Sequence, residues 1–246
     1  MKKGVHIMKK ILAIGNSFSQ DATHYLPALC ESSGVEARIC NMYIGGCRLS
    51  LHHENMLSER KTYKPQKDTV LTDFISLREG IEADDWDIVT FQQQSSASSV
   101  YTTFQPYLNE LSAYIKKALP NAKQYIHQTW AYQTGSKMIY DAGFATYEEM
   151  FAPIRESYER AFKDINADGM IRSGEAMLAL KNSGFPYIHR DCFHAHSGIS
   201  RLMLACLWYK KLIGPLNEDA VMNIKTDVPV STEERKLIIK IVNNID

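Results

Sequence analysis

Five short apolar runs, at 10–14, 37–42, 87–91, 124–128 and 169–171, punctuate this chain, and segments of helical period alternate with them or follow them. Each run is too short for an ordinary helix and too uniformly apolar to leave one side in water, so each reads as a strand buried on both faces. The amphipathic stretches are 22–32, 107–119, 147–165, 175–182 and 198–213. Strands separated by helices cannot pair as hairpins. They form a parallel sheet with right-handed crossovers, so the expected fold class is α/β with about five strands. No linker-like tract and no repeat with a period of 20–50 residues interrupts the pattern, which predicts one domain over 8–246. Residues 1–7 read as an N-terminal extension and 214–246 as a C-terminal loop followed by a helix from about 232. The charged stretch 55–69 reads as an exposed excursion between the second and third strands.

Composition removes several partners. The 246 residues hold 28 Lys+Arg and 28 Asp+Glu, a formal charge of zero, without the basic footprint of a nucleic-acid binder. The longest apolar stretch, 202–209, falls far short of the roughly 20 residues that cross a bilayer, so no membrane association is expected. Five cysteines, an odd number with no CxxC pair, fit reduced thiols and a cytoplasmic location. The apolar run 11–14 is shorter than the roughly 7–15 residues of a signal-peptide core and reads as the first strand. Nothing in the sequence speaks to oligomeric state.

In open parallel sheets, ligands bind beyond the carboxyl ends of the strands. The first such end is Gly15-Asn16-Ser17-Phe18-Ser19, where a serine would stand at the start of a helix. There it could act as a nucleophile beside oxyanion-stabilising amides, or simply cap the helix. The strand carries neither GxGxxG, GxxxxGK[ST] nor GxSxG, so dinucleotide, phosphate-loop and nucleophile-elbow readings fall away. A serine nucleophile needs a base and the base an orienting group. Asp191 and His194, three residues apart in a turn before the last long helical stretch, could supply such a pair, or be a structural Asp cap beside a surface histidine.

The combination of Gly15-Asn16-Ser17-Phe18 near one end and Asp191-x-x-His194 near the other resembles the SGNH (GDSL-type) hydrolase superfamily. The strings WDIVTFQQQS from Trp86 and HQTWAY from His127 resemble its DUF4886-type bacterial branch. The resemblance covers roughly 10–209 and implies a three-layer α/β/α fold with a flavodoxin-like sheet. It implies a serine esterase with catalytic Ser17, Asp191 and His194, acting on a carboxylic ester such as an O-acetyl group of a small molecule or sugar. The backbone amides of Ser17 and Gly46 would donate to the oxyanion. The third donor is normally an Asn in a GxND block; here the strand runs into Gln92-Gln93-Gln94, and Gln93, with Gln92 as alternate, takes the role. No cofactor or metal is implied.

Asn16, Gly45, Trp130 and Tyr132 sit at strand ends and are candidate substrate contacts, with core packing the competing reading for the aromatics. Arg48 and Arg172 read as solvated charges or as contacts for an anionic group. Cys192 reads as a small buried hydrophobe rather than a second nucleophile. Two other functions stay open: a non-catalytic binding module on the same fold, suggested by Gln in place of Asn, and a metal-dependent hydrolase built on Asp191, His194 and His196. His52-His53-Glu54 is the remaining metal-ligand cluster, and its adjacent histidines point in different directions.

Overall fold

A computed structural model describes residues 8–68 and 70–246. Seven strands form one sheet: β1 (Lys9–Gly15), β2 (Ala37–Tyr43), β3 (Lys64–Lys67), β4 (Val70–Leu71), β5 (Ile88–Phe91), β6 (Lys123–His127) and β7 (Gly169–Ile171). Their order is β4-β3-β2-β1-β5-β6-β7. The five apolar runs become β2, β1, β5, β6 and β7, all parallel. Counted alone, they follow the flavodoxin-like order 2-1-3-4-5. Ile11, Leu12, Ala13 and Ile14 of the central strand are essentially unexposed, as a strand covered by helices on both faces requires.

The strand count is seven rather than five. The excursion 55–69 is not simply exposed, since β3 pairs antiparallel with β2 and continues into β4. Its sequence, Lys-Pro-Gln-Lys, has no apolar run; Pro65 and Gln66 are buried while both lysines face out. Tertiary pairing imposes the strand, not composition. Residues 1–7, expected to be an extension, lie outside the described residues, as does Thr69 at the end of the excursion.

Eleven α-helices accompany the sheet among the described residues. They are α1 (Ser17–Thr23), α2 (Leu26–Ser32), α3 (Leu49–Ser58), α4 (Leu77–Glu82), α5 (Tyr107–Ala118), α6 (Lys137–Asp141), α7 (Tyr147–Asp164), α8 (Ser173–Asn182), α9 (Ile199–Leu212), α10 (Glu218–Asn223) and α11 (Thr232–Asn243). One layer groups α1, α2, α8, α9, α10 and α11, with α9 at its centre; α3, α4 and α5 pack together in the other. The single helix expected at 22–32 is two, because Pro27 lies in the first turn of α2. Its ring would strike the carbonyl of residue 23 if the helix ran through. Of the 214–230 segment expected as loop, part is α10, capped by Asn217.

Candidate active site

The parallel register sets the site. Gly15 aligns with Tyr43, and Ile14 with Phe91, so the loops after β1, β2 and β5 leave the sheet together. Strand order reverses between β1 and β5, the topological switch point where such sheets bind ligands.

Ser17 is the first helical residue of α1, and Asn16, not Ser17, is the cap. Asn16 Oδ1 accepts from the Phe18 N–H and from Gln92 Nε2, while Asn16 Nδ2 donates to the Cys47 carbonyl at 3.1 Å. One buried amide thereby ties the ends of β1, β2 and β5. Gln92 Oε1 accepts from His127 Nδ1 at 3.1 Å, and Ser173 donates to His127 Nε2 at 3.0 Å. Burial pushes the His127 pKa down to about 3, so the ring stays neutral and this relay is fixed. Gly15 has no room for a side chain: a Cβ there would stand 2.4 Å from Ser19 Oγ.

Asp191 and His194 lie on the loop between α8 and α9. The carboxylate of Asp191 accepts twice from His194, from its backbone N–H at 2.9 Å and its ring Nδ1 at 2.8 Å. A carboxylate can only accept, so Nδ1 carries the proton and Nε2 presents a lone pair. That atom lies 2.9 Å from Ser17 Oγ. Partial burial pushes the Asp191 pKa up, but the two His194 hydrogen bonds outweigh it and hold the carboxyl below its ordinary range. Cys192, between the two, has φ +75°, a left-handed turn that brings the His194 N–H back onto Asp191.

The loop is mounted by distant groups. The Trp130 indole donates to the Phe193 carbonyl at 2.8 Å, and the Gln133 N–H to the Cys192 carbonyl at 2.7 Å. His189 Nε2 reaches the Ala131 carbonyl at 3.0 Å; burial pushes its pKa down to about 4.

Ser17 and His194 open on a cleft of about 520 Å³. Tyr43, Tyr132, Phe193 and Met138 give it apolar and aromatic walls, with Gln20, Gln94 and Arg190 among its polar groups. Gly45 and Gly46 line it too, Gly46 at φ +61°. Among the described residues, neither the Ser17 nor the Gly46 N–H has a protein acceptor.

Three expectations need correction. Gln93 does not offer its amide to the cleft: its Nε2 donates to the Thr103 carbonyl and hydroxyl, and its Oε1 accepts from the N–H groups of Leu49 and Gln94. It is a cap for α3 supplied from across the sheet. Gln92, the alternate, is spent on Asn16 and His127. Gln94 lines the cleft instead, its Oε1 held by the Ser96 hydroxyl and its Nε2 without a partner among the described residues. Trp130 is fully buried, edge-on to Phe18 at 4.1 Å, and reaches no substrate space. Asn16 borders the cleft, but its amide is engaged internally. Tyr132 and Gly45 line the cleft, the Tyr132 hydroxyl bonded to Ser95.

Arg172 pairs with Glu159, and Arg48 is exposed at the cap of α3. His196 Nδ1 accepts from the Gly198 N–H. Of the His52-His53-Glu54 cluster, His52 is buried against the Tyr63 hydroxyl while His53 pairs with Glu110. No three His, Cys, Asp or Glu side chains are grouped to hold a metal among the described residues. No helix among them is long and apolar enough to cross a membrane.

The fold is of the SGNH-hydrolase type, a mostly parallel sheet flanked by helices, and in this chain a serine stands at the end of the central strand within reach of a histidine from a late loop. Residues 10–239 match the model of a family described as a domain of unknown function, DUF4886, and the chain belongs to that family. It is similar to a DUF4886 family protein from Bacteroides uniformis, at 28% identity and a TM-score of 0.87 over 97% of this chain and 94% of that one. A protein from Slackia heliotrinireducens, provisionally named an SGNH hydrolase, aligns at 24% identity and a TM-score of 0.59 over 85% of this chain and all of that one. A provisionally named GDSL-like lipase from Parabacteroides merdae aligns at 14% identity and 0.57 over 83% and 97%. No curated protein matches the chain.

Proposed function

We propose that this protein is a serine esterase that hydrolyses a carboxylic ester through an acyl-enzyme. The observation that carries the reading is the unbroken hydrogen-bonded series Asp191, His194, Ser17 opening on a cleft. His194 Nε2 takes the Ser17 proton as Oγ attacks the ester carbonyl, and Asp191 stabilises the imidazolium that forms. The N–H groups of Ser17 and Gly46 and the amide of Gln94 meet the oxyanion, where pre-aimed donors act most strongly. The imidazolium then protonates the leaving alcohol, and water deacylates Ser17 by the same route.

The substrate we infer is a small acylated molecule, with an O-acetyl sugar the best match. A cleft of about 520 Å³ lies in the usual ligand range of roughly 300–1,000 Å³. Aromatic walls with glutamine amides between them suit a sugar ring, which offers both C–H faces and hydroxyls.

The test is fluorophosphonate labelling together with turnover of p-nitrophenyl acetate and acetylated sugars. Wild type labels and turns over, Ser17→Ala does neither, and a chelator changes nothing. A wild-type protein that neither labels nor hydrolyses any of these esters is a non-catalytic module. Activity lost to chelator but kept in Ser17→Ala selects a metal-dependent hydrolase.

A further inference from the structure

Ser17 and Asp21 are one helical turn apart on α1 and so share a face. Asp21 is fully buried, and its carboxylate gathers donors from a distant part of the chain. Arg190 Nη1 reaches both oxygens, at 2.8 and 2.9 Å. Arg201 reaches Oδ1 with Nε at 2.9 Å and Nη2 at 2.8 Å. The Ala195 N–H donates to Oδ2 at 3.0 Å.

These donors bracket the acid–base pair. Arg190 immediately precedes Asp191, Ala195 immediately follows His194, and Arg201 lies on α9, into which the loop runs. Arg190 Nη1 also bonds the Ala195 carbonyl at 2.8 Å, and the Arg190 N–H bonds the His194 carbonyl at 3.0 Å. The loop is therefore closed at its base on a single side chain of the nucleophile's own helix. A buried carboxylate is costly to desolvate and survives only when fully paired.

The same contact restrains a competitor. Arg190 Nε stands 4.0 Å from Asp191 Oδ2, the oxygen that holds the His194 ring. With its Nη1 committed to Asp21, the guanidinium stays out of bidentate contact with Asp191. Released, it would compete with imidazole for that carboxylate, and a planar fork competes well.

We infer that Asp21 is a positioning residue: it anchors the 190–195 loop to α1, setting the Ser17–His194 contact and keeping Arg190 off Asp191. This rests on the esterase reading and extends it to a residue that touches no substrate.

The test is Asp21→Asn, which keeps the shape and removes the charge, beside Arg235→Gln as a stability control. Arg235 is a buried guanidinium that bonds the carbonyls of Val221, Ile224 and Val230 near the C-terminus. Both variants should melt at lower temperature. Assayed well below either melting point, Asp21→Asn loses about 10²-fold in kcat, the scale of a misplacement of about 1 Å. Its KM stays within about twofold, and its fluorophosphonate labelling slows in parallel. The low-field proton NMR signal of the His194–Asp191 hydrogen bond shifts or vanishes. Arg235→Gln keeps wild-type kcat and that signal. If Asp21→Asn does not fold, Arg190→Lys, which retains charge but loses the fork, should show the same kcat loss and altered signal.

A folded Asp21→Asn with wild-type kcat and signal overturns the inference. So does a loss of kcat matched by Arg235→Gln at equal loss of melting temperature. A wild-type protein that neither labels nor turns over esters overturns the esterase reading instead, and the two failures are told apart.

Discussion

Ser17 and His194, the proposed nucleophile and base, are held in place by different means. Ser17 stands at a junction of regular elements, where the end of β1, the start of α1 and the neighbouring loops are joined through the buried amide of Asn16. His194 stands on a loop outside any helix or strand, held by Asp21, Trp130, Ala131 and the Gln133 N–H. Where regular structure positions a group, local sequence is enough to do it. Where a loop does, the position is borrowed from side chains elsewhere, and substitutions that look remote reach the chemistry.

The largest effects should erase this difference. Ser17→Ala and His194→Ala are each expected to lower kcat by about 10⁴-fold or more, and Asp191→Asn by about 10³–10⁴-fold, since each removes a member of one unit. Steady-state kinetics on p-nitrophenyl acetate measures this. Gln94→Ala comes next, with about 10²-fold in kcat if its amide meets the oxyanion. The neighbouring Gln93→Ala should lower melting temperature and leave kcat within a few fold, as befits a cap for α3.

Smaller effects separate the two mounts. Trp130→Phe frees the Phe193 carbonyl on the loop side, and kcat should fall about 10-fold with little change in KM. Gln92→Leu, on the strand side, strips partners from Asn16 and His127 and should cost about 1–3 kcal/mol in denaturant unfolding. Equal kcat losses in these two variants would break the comparison.

The last effect concerns acid stability. His127 and His189 titrate in the unfolded chain near 6.5, but burial holds them to about 3 and about 4 in the fold. Between those values the unfolded chain binds more protons. Stability is therefore full above about pH 6.5 and declines as pH falls toward the folded values. Thermal unfolding from pH 7 to 4 should show the decline. His127→Gln and His189→Gln should each flatten it.

The five parallel strands were legible because burial on both faces leaves an apolar signature. The antiparallel β3–β4 hairpin was not, since β3 has no apolar run, β4 is only Val70–Leu71, and the geometry comes from β2. Nor was α3, whose buried face carries His52 and Asn55 beside Leu49, so no apolar period betrays it. Ser17, Asp191 and His194 were readable as a pattern of spacing and position. The three glutamines after β5 were not separable, because one residue type serves three purposes and only the path of the backbone decides which amide goes where. Asp21 left no local trace: its partners lie 169–180 residues away.

The 177 residues between Ser17 and His194 also impose an order in time. At roughly 5–20 residues per second of synthesis, about 10–35 seconds separate the emergence of the serine from that of its proposed base. Through that interval the growing chain carries a hydroxyl of ordinary reactivity. Asp21, made with the serine, waits equally long for Arg190 and Arg201, so its charge has to stay in water until then. Burial of that carboxylate and formation of the Ser17–His194 contact are thus late events, and a chain cut short before residue 190 completes neither.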